Sequence, residues 1–186
     1  MMKKTLLILA AALSGVLAAG AQTGREWQDP AVNEINRLPM RSSFAAGERL
    51  SLDGVWKFHW VRNASERPSG IGAVDYDDAA WGSMPVPGMW ELNGYGDPVY
   101  VNIGYAWRGN FRNDPPYVPD AENHVGSYRR TFDIPASWGG KDIFLSIGSA
   151  TSNVYVWVNG RFVGYSEDSK LAAQFDITKF VKPGEN

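Results

Sequence analysis

The chain has 186 residues, with 18 lysines and arginines against 20 aspartates and glutamates. Its net charge of −2 offers no basic surface for a nucleic acid partner. Cysteine is absent, which excludes disulfides, thiolate metal ligands and a lipid anchor attached through cysteine. The 8 Trp, 8 Tyr and 8 Phe are a heavy aromatic load, and we expect most of these rings to fill a core.

The first 21 residues have the pattern of a cleaved export signal. Lys3 and Lys4 precede an apolar run over residues 5–17, which is too short to span a bilayer comfortably. Ala19-Gly20-Ala21 then provides a small-residue cleavage site. We predict a signal peptide at residues 1–21, a mature chain without a membrane span, and a periplasmic or extracellular location.

Residues 22–50 show no sustained hydrophobic period and contain two prolines, so they predict an extended N-terminal arm. We expect the arm to lie over a neighbour, such as another domain, and to contact it through the apolar side chains of Trp27, Ile35 and Leu38. Asn33-Glu34 within it has the residue types of a catalytic acid/base pair. No barrel strand precedes the pair, so a solvated loop is the expected structure.

Strand patterns begin at residues 52–60, where Leu52, Trp56, Phe58 and Trp60 alternate with polar residues, as in a half-buried antiparallel strand. His59 lies on the opposite face and is expected to be solvated. The polar loop that follows predicts one helical turn at residues 77–81. Further strands are predicted at 84–90, where prolines allow only an edge or an irregular strand, and at 127–135, 141–150, 154–158, 161–165 and 175–177.

The hairpin at residues 154–165 is the clearest element. Apolar residues occupy both faces of its first strand, which predicts a strand covered on both sides. Asn159-Gly160 joins the two strands, and this pair favours a type I′ turn because both residues need positive φ. Regularly spaced short strands without a long helical segment predict an all-β fold, a jelly-roll β-sandwich of the galactose-binding-domain-like kind over residues 51–186. Residues 182–186 predict a turn into another strand, so we expect the domain to be truncated at its C-terminal end.

Little catalytic chemistry is predicted from the residues themselves. His59 and His124 lie far apart without metal-ligand spacing. Glu167 and Asp168 are adjacent, and adjacent side chains point apart, so they cannot flank a glycosidic bond. A hard-cation site that adds Glu26 and Asp29 to these two is an alternative of low weight. We therefore predict no catalytic residue and no metal site in this chain.

Several motifs together resemble the N-terminal sugar-binding domain of family-two glycoside hydrolases. LDGVWKF at 52–58 and VYVWVNGRFVGYSEDS at 154–169 resemble motifs shared by β-galactosidases, β-glucuronidases and β-mannosidases. The arm WQDPAVNEINRL at 27–38, with GYGDPVYVN at 94–102 and PPYVP at 115–119, is similar to the large bacterial β-galactosidases.

The resemblance implies that the catalytic glutamates lie in a (β/α)₈ barrel that is absent from this chain, which alone is predicted to be inactive. It implies hydrolysis of terminal β-D-galactosides with retention, by an acid/base and a nucleophile. It implies that Asn102 hydrogen-bonds the galactosyl unit, and that full-length enzymes commonly use Mg²⁺ and a monovalent cation. The implied partners are a β-galactoside or related glycan, the remaining enzyme domains and a possible homo-oligomer.

Two other functions remain open on the sequence alone. A stand-alone non-catalytic carbohydrate-binding module has the same fold, and so does a purely structural assembly domain. The arm favours the enzyme, because an arm is expected to need neighbouring domains.

Overall fold

The computed structural model describes residues 22–40, 47–98 and 114–186, and their regular structure consists of short β-strands and single turns of 3-10 helix. The strands are β1 (Glu34–Ile35), β2 (Gly54–Val61), β3 (Gly82–Val86), β4 (Val125–Arg129), β5 (Asp133–Ile134), β6 (Phe144–Ile147), β7 (Asn153–Val158), β8 (Arg161–Glu167), β9 (Ala173–Asp176) and β10 (Gly184–Glu185). The 3-10 turns are Glu26–Gln28, Ala64–Glu66, Glu91–Asn93 and Ala136–Trp138. None of the helices in these three ranges has the length and apolar character needed to cross a membrane.

The all-β prediction is confirmed, and the antiparallel sheets are consistent with the predicted sandwich. The sheets have the strand orders β1-β8-β7, β3-β2-β4, β6-β9 and β10-β5. The main apolar cluster lies between the β7–β8 hairpin and the β6–β9 pair. Its buried members are Val156, Val158, Val163, Ala173, Phe175 and Ile177.

The predicted hairpin is present as β7 and β8. Asn159 and Gly160 connect the strands with φ values of 50° and 79°, as a type I′ turn requires. Val156 contributes to the core, whereas Tyr155 and Trp157 lie on the other face with ring centroids 6.0 Å apart. Both faces of β7 are therefore apolar, as the alternation predicted.

Strand β2 is the centre of the second three-stranded sheet. Phe58 is 1% exposed and Met84 is fully buried, and the Phe58 ring contacts Tyr128 and Tyr95 at centroid distances of 4.6 and 4.7 Å. Pro85 in β3 lies opposite Val55. Strand β3 pairs only with β2 among the described strands, which confirms the predicted edge position.

The described part of the arm lies on its own domain, and whether the arm also lies over a neighbour stays a prediction. Strand β1 of the arm pairs with β8, with Glu34 opposite Ser166 and Ile35 opposite Tyr165. The Leu38 N–H donates to the Gln174 carbonyl at 2.8 Å. The arm lies on its own domain because the β8 edge offers backbone groups that need partners.

Two local predictions in the loop after β2 are corrected. Residues 77–81 form a turn rather than a helical turn, because the Asp77 carboxylate accepts the Ala79 N–H at 3.0 Å and competes with helix formation. The 3-10 turn occurs instead at Ala64–Glu66, which starts with a capping box from Asn63. His59 is not freely solvated, since its ring stacks on Trp81 at 5.5 Å.

The strand predicted at 127–135 is two strands, because the chain changes sheets between them. Strand β4 pairs with β2, whereas β5 pairs with β10. Phe132 and Asn186 also exchange two backbone hydrogen bonds, at 2.9 and 3.1 Å. Residues 182–186, which were predicted as a turn, therefore include strand β10 at Gly184–Glu185, and β10 pairs with β5.

Candidate functional site

The predicted substrate contact, Asn102, lies outside the described residues, but both flanks of its segment are placed. Before it, the Tyr95 N–H donates to the Trp90 carbonyl at 3.0 Å. After it, the Val118 carbonyl accepts the Gln28 side-chain amide at 2.9 Å. Of the described flanking residues, Tyr95 contacts the Phe58 ring of β2 and Val118 is hydrogen-bonded to the arm.

A buried carboxylate fastens the arm to the hairpin. Glu26 is 4% exposed and accepts hydrogen bonds from the Tyr155 hydroxyl at 2.7 Å and from Thr23. Burial raises the pKa of Glu26, but the bonds from the Thr23 N–H and the Tyr155 hydroxyl outweigh it, so the pKa lies below its usual value. Burial raises the pKa of Tyr155, and the hydrogen bond to the Glu26 carboxylate raises it further. The pair is a charged acceptor with a neutral donor at neutral pH.

A second tyrosine–carboxylate pair lies beside the first. The rings of Tyr155 and Tyr165 have centroids 4.6 Å apart, and the Tyr165 hydroxyl donates to Glu167 at 2.6 Å. Burial raises the pKa of Tyr165, and the hydrogen bond to Glu167 adds to the effect. Arg37 of the arm, whose side chain is 9% exposed, donates to the Glu167 carbonyl at 3.2 Å. The arm therefore holds the end of β8 in place.

Asp168 follows at a strained backbone position. Its φ is 102°, which is uncommon for a residue with a side chain. Its carboxylate accepts the N–H groups of Lys170 and Leu171 at 2.9 and 3.3 Å and so closes the turn. Glu167 and Asp168 point to different partners, as expected of adjacent residues.

These carboxylates cannot perform glycoside hydrolysis as a pair. Glu26 is too buried to contact a substrate, and Glu167 is bonded to the Tyr165 hydroxyl. Asn33-Glu34 is part of the arm, where Glu34 forms an ion pair with Arg37 and the Asn33 carbonyl accepts the Glu167 N–H at 3.0 Å. The cation site with Glu26, Asp29, Glu167 and Asp168 is not formed, since no group of three or more His, Asp or Glu suited to a metal occurs in the described ranges. These ranges therefore do not fit the Mg²⁺ that the resemblance implies for full-length enzymes.

Sequence reasoning missed the two tyrosine–carboxylate pairs. Glu26 and Tyr155 are 129 positions apart, and no local pattern links them. The one available signal is that Glu26 precedes Trp27, and it does not identify the partner of Glu26.

Comparison with known proteins defines the class. Residues 50–186 match the family model described as glycosyl hydrolases family 2, sugar binding domain. This chain belongs to that family, and the match covers all ten strands except β1.

Two curated relatives and one solved structure show which proteins the chain is similar to. The chain is 40% identical over 172 residues to a β-galactosidase of Halalkalibacterium halodurans, covering 86% of this chain and 17% of that protein. It is 43% identical over 136 residues to a β-galactosidase of Priestia megaterium, covering 73% of this chain and 13% of that protein. A crystal structure of a β-glycosidase from Bacteroides vulgatus aligns with a TM-score of 0.54 at 22% identity, over 75% of this chain and 16% of that one, which shows the fold. The chain thus spans less than a fifth of these relatives' lengths.

Proposed function

We propose that this chain is the N-terminal sugar-binding domain of an exported β-galactosidase, which hydrolyses terminal β-D-galactosides with retention of configuration. The observation that carries the proposal is the 40% identity over 172 residues to a curated β-galactosidase. That alignment is longer than the family match at residues 50–186, so it includes arm sequence as well as the domain.

In this proposal the chain positions substrate, and carboxylates elsewhere in the enzyme perform the chemistry. Retaining hydrolysis needs one carboxyl group as acid/base and a second as nucleophile. The described residues provide neither, so the remaining domains of the enzyme are the proposed partners. We place Mg²⁺ and a monovalent cation in those domains, and homo-oligomer formation belongs to the same proposal.

Asn102 is the proposed contact to the galactosyl unit. Its amide offers a donor and an acceptor, which suits a sugar hydroxyl. We expect Asn102→Ala in the full-length enzyme to lower kcat/KM about two- to tenfold, since a lost neutral hydrogen bond costs about 0.5–1.5 kcal/mol. Asn93→Ala is the matched control, because Asn93 is exposed and its amide donates to the Met89 carbonyl nearby in sequence. A lower Tm with unchanged kinetics for Asn102→Ala would instead assign Asn102 to a turn.

Export is proposed from the basic pair, the apolar run and the small-residue site of the first 21 residues. N-terminal sequencing of the protein recovered outside the cytoplasm is expected to begin at Gln22. Recovery of protein that still begins at Met1 would contradict the proposal.

A further inference from the structure

A cavity of about 3790 Å³ lies between the two three-stranded sheets. Every residue of β4, in one sheet, and every residue of β7, in the other, lines this cavity. Both are end strands, since among the described strands β4 pairs only with β2 and β7 only with β8. Each strand therefore presents to the cavity a row of backbone N–H and C=O groups that no described strand pairs with. We call the space between these two edges the β4–β7 slot.

A loop at residues 71–74 holds the two edges opposite each other. Arg129 of β4 donates to the Ala73 carbonyl of this loop at 3.0 Å. Gly72 of the same loop lies against β7, because a Cβ at Gly72 would be 2.6 Å from the Trp157 ring. The loop thus connects β4 and β7 through side chains, on one face of the two strands, and leaves the space between their backbones open.

The slot has one apolar side and one polar side. Tyr128 lies on the core face of β4, where its ring is 4.6 Å from that of Phe58, and Val156 of β7 belongs to the main apolar cluster. Arg129 is adjacent to Tyr128 and so points to the opposite face, where it pairs with Asp78 at 2.9 Å. A chain in the slot would therefore need apolar side chains toward Tyr128 and Val156, and could carry polar ones toward Arg129.

Strand β10 is directed at the entrance of the slot. The Asn186 backbone exchanges two hydrogen bonds with Phe132, which lies between β4 and β5. The Asn186 side-chain oxygen accepts the Asn159 amide at 2.9 Å, and Asn159 directly follows β7. Asn186 therefore lies between the C-terminal ends of β4 and β7. A strand that enters here in line with β10 runs antiparallel to both strands.

An extended polypeptide fits the slot better than a small solute does. A solute such as a sugar can bond only a few of the backbone groups along two strand edges. A β-strand carries N–H and C=O groups on both sides, so it can pair with both edges at once, as in β-strand addition. The enzyme has chain to provide it, because this sequence spans only 17% of the Halalkalibacterium halodurans β-galactosidase that it matches.

We propose that the β4–β7 slot receives one β-strand from the rest of the enzyme, in line with β10 and antiparallel to both neighbours. This strand joins the two sheets into one, in the order β3-β2-β4, the added strand, β7-β8-β1. Its side chains alternate, apolar toward Tyr128 and Val156 and polar or charged toward Arg129. The proposal rests on the proposed function, which provides the rest of the enzyme.

Hydrogen–deuterium exchange followed by mass spectrometry tests the slot, with this chain and the full-length enzyme measured side by side. We expect backbone amides in peptides from β4 and β7 to exchange about tenfold or more slowly in the full-length enzyme, because the added strand pairs with both edges. Peptides from β8 are the matched control, since β1 and β7 already flank this strand, and their exchange is expected to change much less. Equal exchange of β4 and β7 in the two proteins, or protection of only one of them, would overturn the proposal.

Other occupants of the slot give different exchange patterns. If both edges exchange slowly in this chain alone at low concentration, the chain itself covers them. If they become protected in this chain only as its concentration rises, a second copy covers them. Either result would overturn the proposal of a strand from the rest of the enzyme.

The two proposals fail separately. If β4 and β7 are not protected in a full-length enzyme that hydrolyses β-galactosides, the slot is wrong and the enzyme assignment stands. If both strands are protected but no β-galactoside is hydrolysed, the slot stands and the enzyme assignment is wrong.

Discussion

Gly164→Ala is expected to lower the Tm by about 2–12 °C, the largest stability effect we predict for one methyl group. A Cβ at Gly164 would collide with the Ile35 carbonyl oxygen of the arm and lie 2.8 Å from the Phe175 ring. Overpacking of this kind costs about 1–3 kcal/mol, and in a domain of this size 1 kcal/mol shifts Tm by about 2–4 °C. Thermal unfolding followed by circular dichroism measures the shift.

Gly148→Ala is the matched control, because a Cβ at Gly148 meets no atom within 4 Å and its backbone is not at positive φ. We expect its Tm to be unchanged or slightly higher, since alanine restricts the unfolded chain. Equal Tm values for the two variants would show that the arm does not lie against β8 as described.

Tyr155→Phe is expected to destabilise the chain by about 1.5–3 kcal/mol at neutral pH. It removes the hydroxyl donor 2.7 Å from Glu26, a carboxylate that is 4% exposed, and hydrogen bonds to charged groups have about this value. Tyr117→Phe is the matched control, because Tyr117 is 65% exposed. If Tyr155→Phe lowers the free energy of unfolding no more than Tyr117→Phe does, the Glu26–Tyr155 hydrogen bond does not stabilise the arm.

The pH dependence of the same variant gives a second readout. The folded-state pKa of Glu26 is below its ordinary value of 4.5, so the stability it contributes is present above that value and is lost as pH falls through the folded pKa. Without the hydroxyl, one of the hydrogen bonds that counteract the effect of burial is lost, so the pKa of Glu26 rises. We expect the difference in free energy of unfolding between wild type and Tyr155→Phe to shrink as pH falls below about 4.5. If the difference in free energy of unfolding stays constant with pH, the Tyr155 hydroxyl does not contact a carboxylate.

The sequence predicted the elements whose causes are local. The β7–β8 hairpin follows from apolar alternation around Asn159-Gly160, and β2 follows from the alternation that ends at Trp60. The edge position of β3 follows from its prolines. In each case the deciding interactions lie within about ten residues of sequence.

The elements that were missed or given the wrong bounds depend on distant partners. Strands β1, β5 and β10 have two residues each, too few for a period, and each forms because a remote strand edge is available. The Glu26–Tyr155 bond and the contact between the Trp60 and His124 rings likewise depend on residues brought together only by folding. Asn102 was identified by resemblance alone, and its role stays a prediction.

The most direct test of the central claim is a domain replacement. Residues 22–186 of this chain replace the aligned part of the Halalkalibacterium halodurans β-galactosidase, and hydrolysis of an aryl β-galactoside is measured with the anomeric configuration of the product. We predict that the chimera hydrolyses the substrate with retention and that this chain alone does not, because we propose that the acid/base and nucleophile lie in the other domains of the enzyme. A chimera that folds with the Tm of the parent enzyme but lacks activity would contradict the claim, and galactoside binding by the isolated chain would then favour a stand-alone binding module.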